Sequence, residues 1–317
     1  MLATALCLAL GIEAVDLGPL FRGGDNRVLG MDGAFSVPVA PGSSLWVFGD
    51  TLLGSWKPDG GRLITGMPSC TAAVVEDRDW VTGFAHARLV PSQMLRETGL
   101  AKGHRRWPLD LLAVGRDRWL FYVEIAVHGT GLMDFSVAGT GAAKLDHGVF
   151  KPWKMLWGKD APTYGSSVMV HDGYTYLYAS GATTYLARAK TGSFDFSYWD
   201  GRGFSAKAAG LPASGPEASV RWNPYLKAFV MVYVPMMGHE VVMRTAPDPW
   251  GPWSEPQKLL GCLPADANVY GGKQHVELDQ DRGRRIVITY NTNGSKAQLA
   301  DRPDVYWPRA ARVTFTR

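Results

Sequence analysis

The chain has 317 residues, 46% of them hydrophobic and 20% charged, so it can bury a sizeable core and is not expected to be disordered. The net charge of +4 is mild, and the densest basic run is only Lys102-Gly103-His104-Arg105-Arg106, which argues against nucleic acid as a partner. The three cysteines, Cys7, Cys70 and Cys262, stand in no CxxC or Cys/His spacing, so no structural zinc is signalled; no metal and no cofactor are expected.

Residues 1–14 are small and apolar, like the core of a secretory signal that lacks its basic start. The expectation is a degenerate or truncated signal segment over 1–14, with a first strand or helix as the alternative, a secreted or cell-surface location, and one domain over 15–317. The segment is too short to span a bilayer, and no longer apolar run follows.

A polar loop at 22–27 leads into two strands over 34–51, with Asp32 before the first and Asp50 ending the second. The second strand, Leu45-Trp46-Val47-Phe48, is wholly apolar and stops at Gly49-Asp50-Thr51, so the Asp50 carboxylate must meet something polar. A Gly/Pro-rich loop over 54–69 follows, then strands at 70–76 and 84–90. The second unit has His104 to Pro108 as a lead-in, strands at 109–114 and 119–125, and two more at 135–138 and 148–156. The third unit is a hairpin, 164–170 and 174–179 about His171-Asp172-Gly173, with strands at 184–189 and 194–199. The fourth runs 218–222, 228–234 and 240–245 and closes at 248–254; the fifth runs 274–278, 285–291 and 311–315. Only 92–100 reads as helical.

The strong return strands centre on Leu45, Trp119, Tyr176, Phe229 and Ile286, at steps of 74, 57, 53 and 57 residues. A recurring unit of about four short strands predicts an all-β, five-bladed β-propeller. A β-sandwich would explain the strands but not their spacing. In a closed ring the first and last units are neighbours, which suggests a Cys70–Cys262 disulfide.

No phosphate loop, no Ser-His-Asp elbow and no nicotinamide fingerprint is present. The chemistry-bearing candidates are carboxylates at strand ends: Asp32, Asp50, Glu217 after Gly215-Pro216, and Glu124 after a strand. Two flanking carboxyl groups are what glycoside hydrolysis needs. Each also has a structural reading: Asp32 as a turn former, Asp50 as a loop cap, Glu217 as an ion-paired strand start. Arg106, Trp107, Tyr164, Ser166, Tyr270, His275, Trp307 and Arg309 are candidate groove residues for a polysaccharide or oligosaccharide. Most of the twelve Trp, twelve Tyr and twelve Phe are expected in a β core, with a few stacking on sugar.

Several pieces together resemble the domain-of-unknown-function family 4185: Met31-Asp32-Gly33, Val47-Phe48-Gly49-Asp50-Thr51, Tyr164-Gly165-Ser166-Ser167, Pro216-Glu217-Ala218-Ser219-Val220, Arg244-Thr245-Ala246 with Gly251-Pro252-Trp253-Ser254, and Tyr270 with Gln274-His275. The resemblance extends from about residue 15. It implies a five-bladed propeller that cleaves D-arabinan inside the chain at α-D-arabinofuranosyl linkages, with Asp32 and Asp50 as the acid pair. Asp50 is assigned acid/base because desolvation after an apolar strand raises a carboxyl pKa. Asp32 is then nucleophile or base, and Glu217 is the alternative acid. Glu217-Ala218-Ser219-Val220, Asn291-Thr292-Asn293 and Tyr306-Trp307-Pro308-Arg309 depart from the family pattern, so the substrate can differ. A monomer is expected. The alternatives are another furanosidase or glycan hydrolase on the same scaffold, a non-catalytic carbohydrate-binding propeller, and a protein-interaction propeller.

Overall fold

The computed structural model describes residues 10–78, 83–84, 87–129, 131 and 134–316. Cys7 and residues 1–9 of the expected signal segment lie outside them. The chain begins with β1 (Gly11–Pro19), β2 (Val28–Gly30), β3 (Phe35–Ala40), β4 (Ser43–Phe48), β5 (Leu52–Trp56), β6 (Arg62–Gly66), β7 (Thr71–Glu76) and β8 (Arg88–Val90). Strands β3-β4-β7-β8 form one antiparallel sheet, and β2-β5-β6 form a separate three-stranded one. The second large sheet contains β9 (His104–Val114), β10 (Asp117–Val127), β11 (Phe135–Asp146) and β12 (Val149–Gly158). The third has β13 (Ser167–His171), β14 (Tyr174–Ala179), β15 (Tyr185–Lys190), β16 (Ser197–Trp199) and β17 (Phe204–Ser205). The fourth has β18 (Ser219–Asn223), β19 (Ala228–Tyr233), β20 (Glu240–Ala246) and β21 (Gln257–Gly261). The last is built from β22 (Asn268–Gln274), β23 (Arg285–Asn293) and β24 (Pro308–Thr316), with β1 paired to β24 as its outer edge. One α-helix is described, α1 (Lys296–Asp301), opened by a Ser295 capping box.

The middle strands explain why the sheets stack. Side chains of a strand alternate between its two faces. In β4, Trp46 and Phe48 enter one core while Leu45 and Val47 enter another. In β10, Leu120 and Tyr122 face the first sheet, while Phe121, Val123 and Ile125 face the third. In β19, Phe229, Met231 and Tyr233 face the third sheet, while Val230 and Val232 face the last. The last sheet closes onto the first through Val287, Trp307 and Ala310 against Trp46 and Phe48. Each large sheet is therefore buried on both faces, which is why its middle strand reads as a continuous apolar run. The innermost strands touch in succession, β3 to β9, β9 to β13, β13 to β18 and β18 to β22. The fold is all-β and propeller-type. Among the described residues no helix is long and apolar enough to cross a membrane.

Several expectations need correction. Residues 11–14 take the alternative reading of a first strand: they lie in β1 and pair with Val313 to Thr316. The stretch 54–69 is not a plain loop but carries most of the hairpin β5–β6. Its alternation is hidden because Leu63 and Ile64 are exposed and the β5–β6 register shifts between Leu53 and Gly54. The lead-in His104 to Pro108 is already strand β9; the fourth sheet ends on 257–261 rather than 248–254; β22 precedes the expected 274–278. Residues 92–100 form no helix. Arg62, buried at the start of β6, donates to the carbonyls of Leu29 (2.7 Å), Leu299 (2.6 Å), Arg302 (2.8 Å) and Val305 (2.6 Å). It ties that sheet to the segment after β23.

The disulfide does not form. Cys70 is buried between the first and second sheets, Cys262 between the fourth and the last, and both are free thiols. Burial pushes the Cys262 thiol up to about 12 and raises Cys70 as well. Neither should react with a thiol reagent at pH 8 until the protein is unfolded; mass mapping that finds the two linked would overturn this. Replacing Arg62 with Ala leaves four carbonyls without their donor and should cost about 3 kcal/mol, read as a lower denaturation midpoint.

Candidate active site

Asp32 lies in the short connection from β2 to β3, and Asp50 in the connection from β4 to β5. The Gly49 N–H donates to the Asp32 carbonyl (2.9 Å), which draws the two connections together. Gly33, at φ +82°, permits this approach, because a Cβ there would stand 2.9 Å from the Gly49 nitrogen. Glu217 arrives from the fourth sheet, two residues before β18, in the left-handed region at φ +54°. A non-glycine residue held there is unusual and recurs at functional sites.

These three carboxyls share one environment. Lys273 on β22 is buried and donates to Glu217 Oε2 (2.7 Å) and to the Gly33 carbonyl (2.8 Å). Asn291 Nδ2 also reaches the Gly33 carbonyl (3.3 Å) and Glu217 (3.5 Å). The Tyr270 hydroxyl donates to Asp32 Oδ2. The Tyr306 hydroxyl donates to the Asp50 main-chain carbonyl (2.9 Å) and also lies against the Asp32 carboxyl. Asp50 Oδ1 accepts from Trp107 Nε1 (3.2 Å) and pairs with Arg105 (3.3 Å).

The electrostatics separate the acids. Burial pushes the Asp32 carboxyl up to about 7; the negative charges of Glu217 and Asp50 add to this, while Tyr270 and Lys273 oppose it. Burial lifts Asp50 to about 6 against the pull of Arg105 and Trp107. Glu217 is held in an ion pair with Lys273. The cluster thus combines a carboxyl that keeps its proton near neutrality with an ion-paired carboxylate. That combination suits acid and base roles on the two sides of a bond.

The other expected residues divide sharply. Tyr270 and Trp107 are at the site. Strand alternation in β9 turns Arg105 and Trp107 toward Asp50 but Arg106 the other way. Arg106 is buried against the Tyr122 ring and donates to the Arg96 carbonyl, so it is not a groove residue. Glu124 is taken up by His104 (3.0 Å) and Arg106 (3.5 Å). Tyr164 is buried in the core between the second and third sheets. Ser166 bonds Ser180 and the Tyr178 carbonyl, beside a small polar cavity that also holds the Asp110–Arg221 pair (2.8 Å). His275 is sealed between Ser36 and Thr289 and stacked on Trp46 at 4.2 Å; burial drives its pKa well down, so it is neutral and out of reach of substrate. Trp307 is a core residue, and Arg309 pairs with Asp16 on the outer strands. Lys273 and Tyr306 carry roles that sequence reading missed. A lysine inside the strand run Val269-Tyr270-Gly271-Gly272-Lys273-Gln274 was the available signal.

The profile of a family described as a domain of unknown function, DUF5005, matches residues 21–314. This overturns the resemblance to family 4185: its shared pieces are short strand-end motifs, which follow the geometry of the fold rather than one family. No curated protein matches the sequence. Among solved structures, a presumed hydrolase from Bacteroides ovatus ATCC 8483 aligns at TM-score 0.70 and 17% identity, over 90% of this chain and 85% of its own. The α-L-arabinofuranosidase of Podospora anserina, solved with cellotriose, aligns at TM-score 0.56 and 13% identity over 96% and 97%. The GH43_1 enzyme of Xanthomonas citri, solved with xylotriose, aligns at 0.58 and 12% over 95% and 89%. At these identities the likeness establishes a shared fold.

Raised carboxyl pKa values carry a stability signature. With native values near 7 and 6 against 3.8 unfolded, the native state binds more protons between. The stability from these groups is full below about pH 4 and is lost as pH rises through 6 to 7. The wild-type protein should lose stability from pH 4 to 8. Asp32→Asn should flatten that slope and gain about 1–2 kcal/mol at pH 8. Parallel denaturation curves for the two proteins across this range would refute the assignment.

Proposed function

The chain belongs to the DUF5005 family, and we propose that it is a glycoside hydrolase that cuts a saccharide chain laid across Asp32, Asp50 and Glu217. The observation that carries this reading is the trio itself: a carboxyl raised to about 7 beside a carboxylate ion-paired to a buried lysine. The presence of glycoside hydrolases among proteins of the same fold supports it. On this reading the five large sheets are the blades of a five-bladed propeller, and the sheet β2-β5-β6 is an insertion.

Asp32, the most strongly raised of the three, protonates the departing glycosidic oxygen. Glu217, charged beside Lys273, attacks the anomeric carbon or activates the water that does. Asp50 adds negative charge that delays ionisation of Asp32, and Trp107 and Arg105 hold it in place. This moves the acid role from Asp50, where an apolar strand alone suggested it, to Asp32, where burial is joined by two neighbouring charges. Endo cleavage of α-D-arabinofuranosyl linkages rested on the family 4185 motifs and loses that support, so D-arabinan stands as one substrate among several to be tried. A secreted or surface-bound monomer suits action on a polymer and is part of the proposal.

The test is release of reducing ends from D-arabinan, L-arabinan, arabinoxylan, xylan and galactan. Asp32→Asn and Glu217→Gln should each lower the rate at least about 100-fold. Binding without release on every glycan would favour a non-catalytic carbohydrate-binding propeller. Roles separate on a dinitrophenyl glycoside, whose leaving group needs no proton: Asp32→Asn should keep most of its rate there, and Glu217→Gln should not. If Asp50→Asn is the variant rescued by that substrate, Asp50 is the acid. The wild-type rate should fall as pH rises past about 7.

A further inference from the structure

The three-stranded sheet begins at the two aspartates and runs away from them: β2 ends two residues before Asp32, and β5 starts two residues after Asp50. At its far end a cavity of about 310 Å³ opens between the sheet, the loop 22–26 and Pro303. That volume is at the small end of ligand sites and suits one or two sugar rings.

Its lining has the two kinds of surface that a sugar ring presents in turn, an apolar C–H face and an edge of hydroxyls. Trp56 supplies an indole that is 37% exposed. The Arg62 guanidinium lies 5.5 Å from the centre of that ring. Arg62 is itself fixed by four carbonyls, so it holds the indole in place. The polar edge comes from Arg22, Asp25 and Asn26. Asp25 is oriented by Arg27 (2.7 Å). Among the described residues, the exposed side chains of Arg22 and Asn26 make no hydrogen bond to the protein, so their donors are open to a ligand.

We propose that this cavity is a second glycan-binding site, which holds a sugar unit of the same chain a few units away from the bond at Asp32 and Glu217. Trp56 stands six residue steps after Asp50, a span of at most about 20 Å. The segment 302–306 joins the two places, since Pro303 lines the cavity and Tyr306 bonds Asp50. The role of the site in polymer cleavage rests on the hydrolase reading; its capacity to bind does not.

The test uses the full chain carrying Glu217→Gln, which blocks turnover, with arabinoxylan, L-arabinan, D-arabinan, xylan and galactan as probes in affinity electrophoresis. At least one should retard the protein. Trp56→Ala should weaken that retardation about tenfold and Asn26→Ala by a smaller factor. Trp153→Ala, which removes a more exposed tryptophan on β12, should leave it unchanged. In chains that keep Glu217, Trp56→Ala should raise KM on the polymer, leave kcat alone, and have no effect on a short aryl glycoside. Retardation that survives both Trp56→Ala and Asn26→Ala, or no retardation by any probe, overturns the site. Retardation that depends on Trp56, with no glycan cleaved by the wild-type chain, upholds the site and removes the hydrolase reading alone.

Discussion

The ammonium of Lys273 is the interaction on which the site depends. It is a buried cation, and a cation in that position is tolerated only when it is paired and hydrogen-bonded. Its partners come from three parts of the chain: the Glu217 carboxylate, the Gly33 and Gly271 carbonyls, and the Phe35 ring, 4.3 Å from the nitrogen. One charge therefore fixes Glu217 relative to the backbone beside Asp32. Gly271, at φ +68°, makes room for it, since a Cβ there would crowd Glu217, Asn291 and Lys273 at 2.9 Å or less.

Around that charge the site stores opposition rather than stability. Asp32 and Asp50 are both desolvated, Asp32 beside Glu217 and Asp50 near Glu97, and only a few donors offset the repulsion. Ala34, Glu217 and Tyr306 all stand in the left-handed region, which costs backbone energy at three non-glycine positions. The surrounding sheets, each packed on both faces, are what can hold such an arrangement. The same packing explains why so many expected groove residues are not there. Tyr164, His275 and Trp307 lie close to the site in sequence motifs, yet each sits in a connection beside a strand and is buried, Tyr164 and Trp307 in the inter-sheet cores and His275 against Trp46.

Much of the scaffold was legible. The apolar runs at Leu45 to Phe48, Leu120 to Val123 and Phe229 to Tyr233 are strands buried on both faces, and they mark three sheets directly. Weak signals failed for identifiable reasons. Strands β5 and β6 lie in a sheet exposed on much of one side, so their apolar residues follow no burial pattern. The segment 11–14 reads as a leader because an outer-edge strand needs little more than small apolar residues. Chain position alone pairs the cysteines, whereas Cys262 follows β21 and packs against the last sheet, in a different core from that around Cys70.

The sequence by itself determined an all-β chain of repeated strands, with acids placed where buried strands end, because side-chain alternation and strand-end polarity are local properties. It also singled out Asp32, Asp50 and Glu217. Only the tertiary structure decided what those acids are. Tyr270 meets Asp32 across 238 residues, Asn291 meets Gly33 across 258, and Lys273 meets Glu217 across 56. A carboxyl's proton affinity is set by lost solvent and by neighbouring charges, and both arrive from remote parts of the chain. The apolar strand Leu45 to Phe48 foretold that Asp50 would be desolvated, but the packing of remote segments placed the stronger perturbation on Asp32.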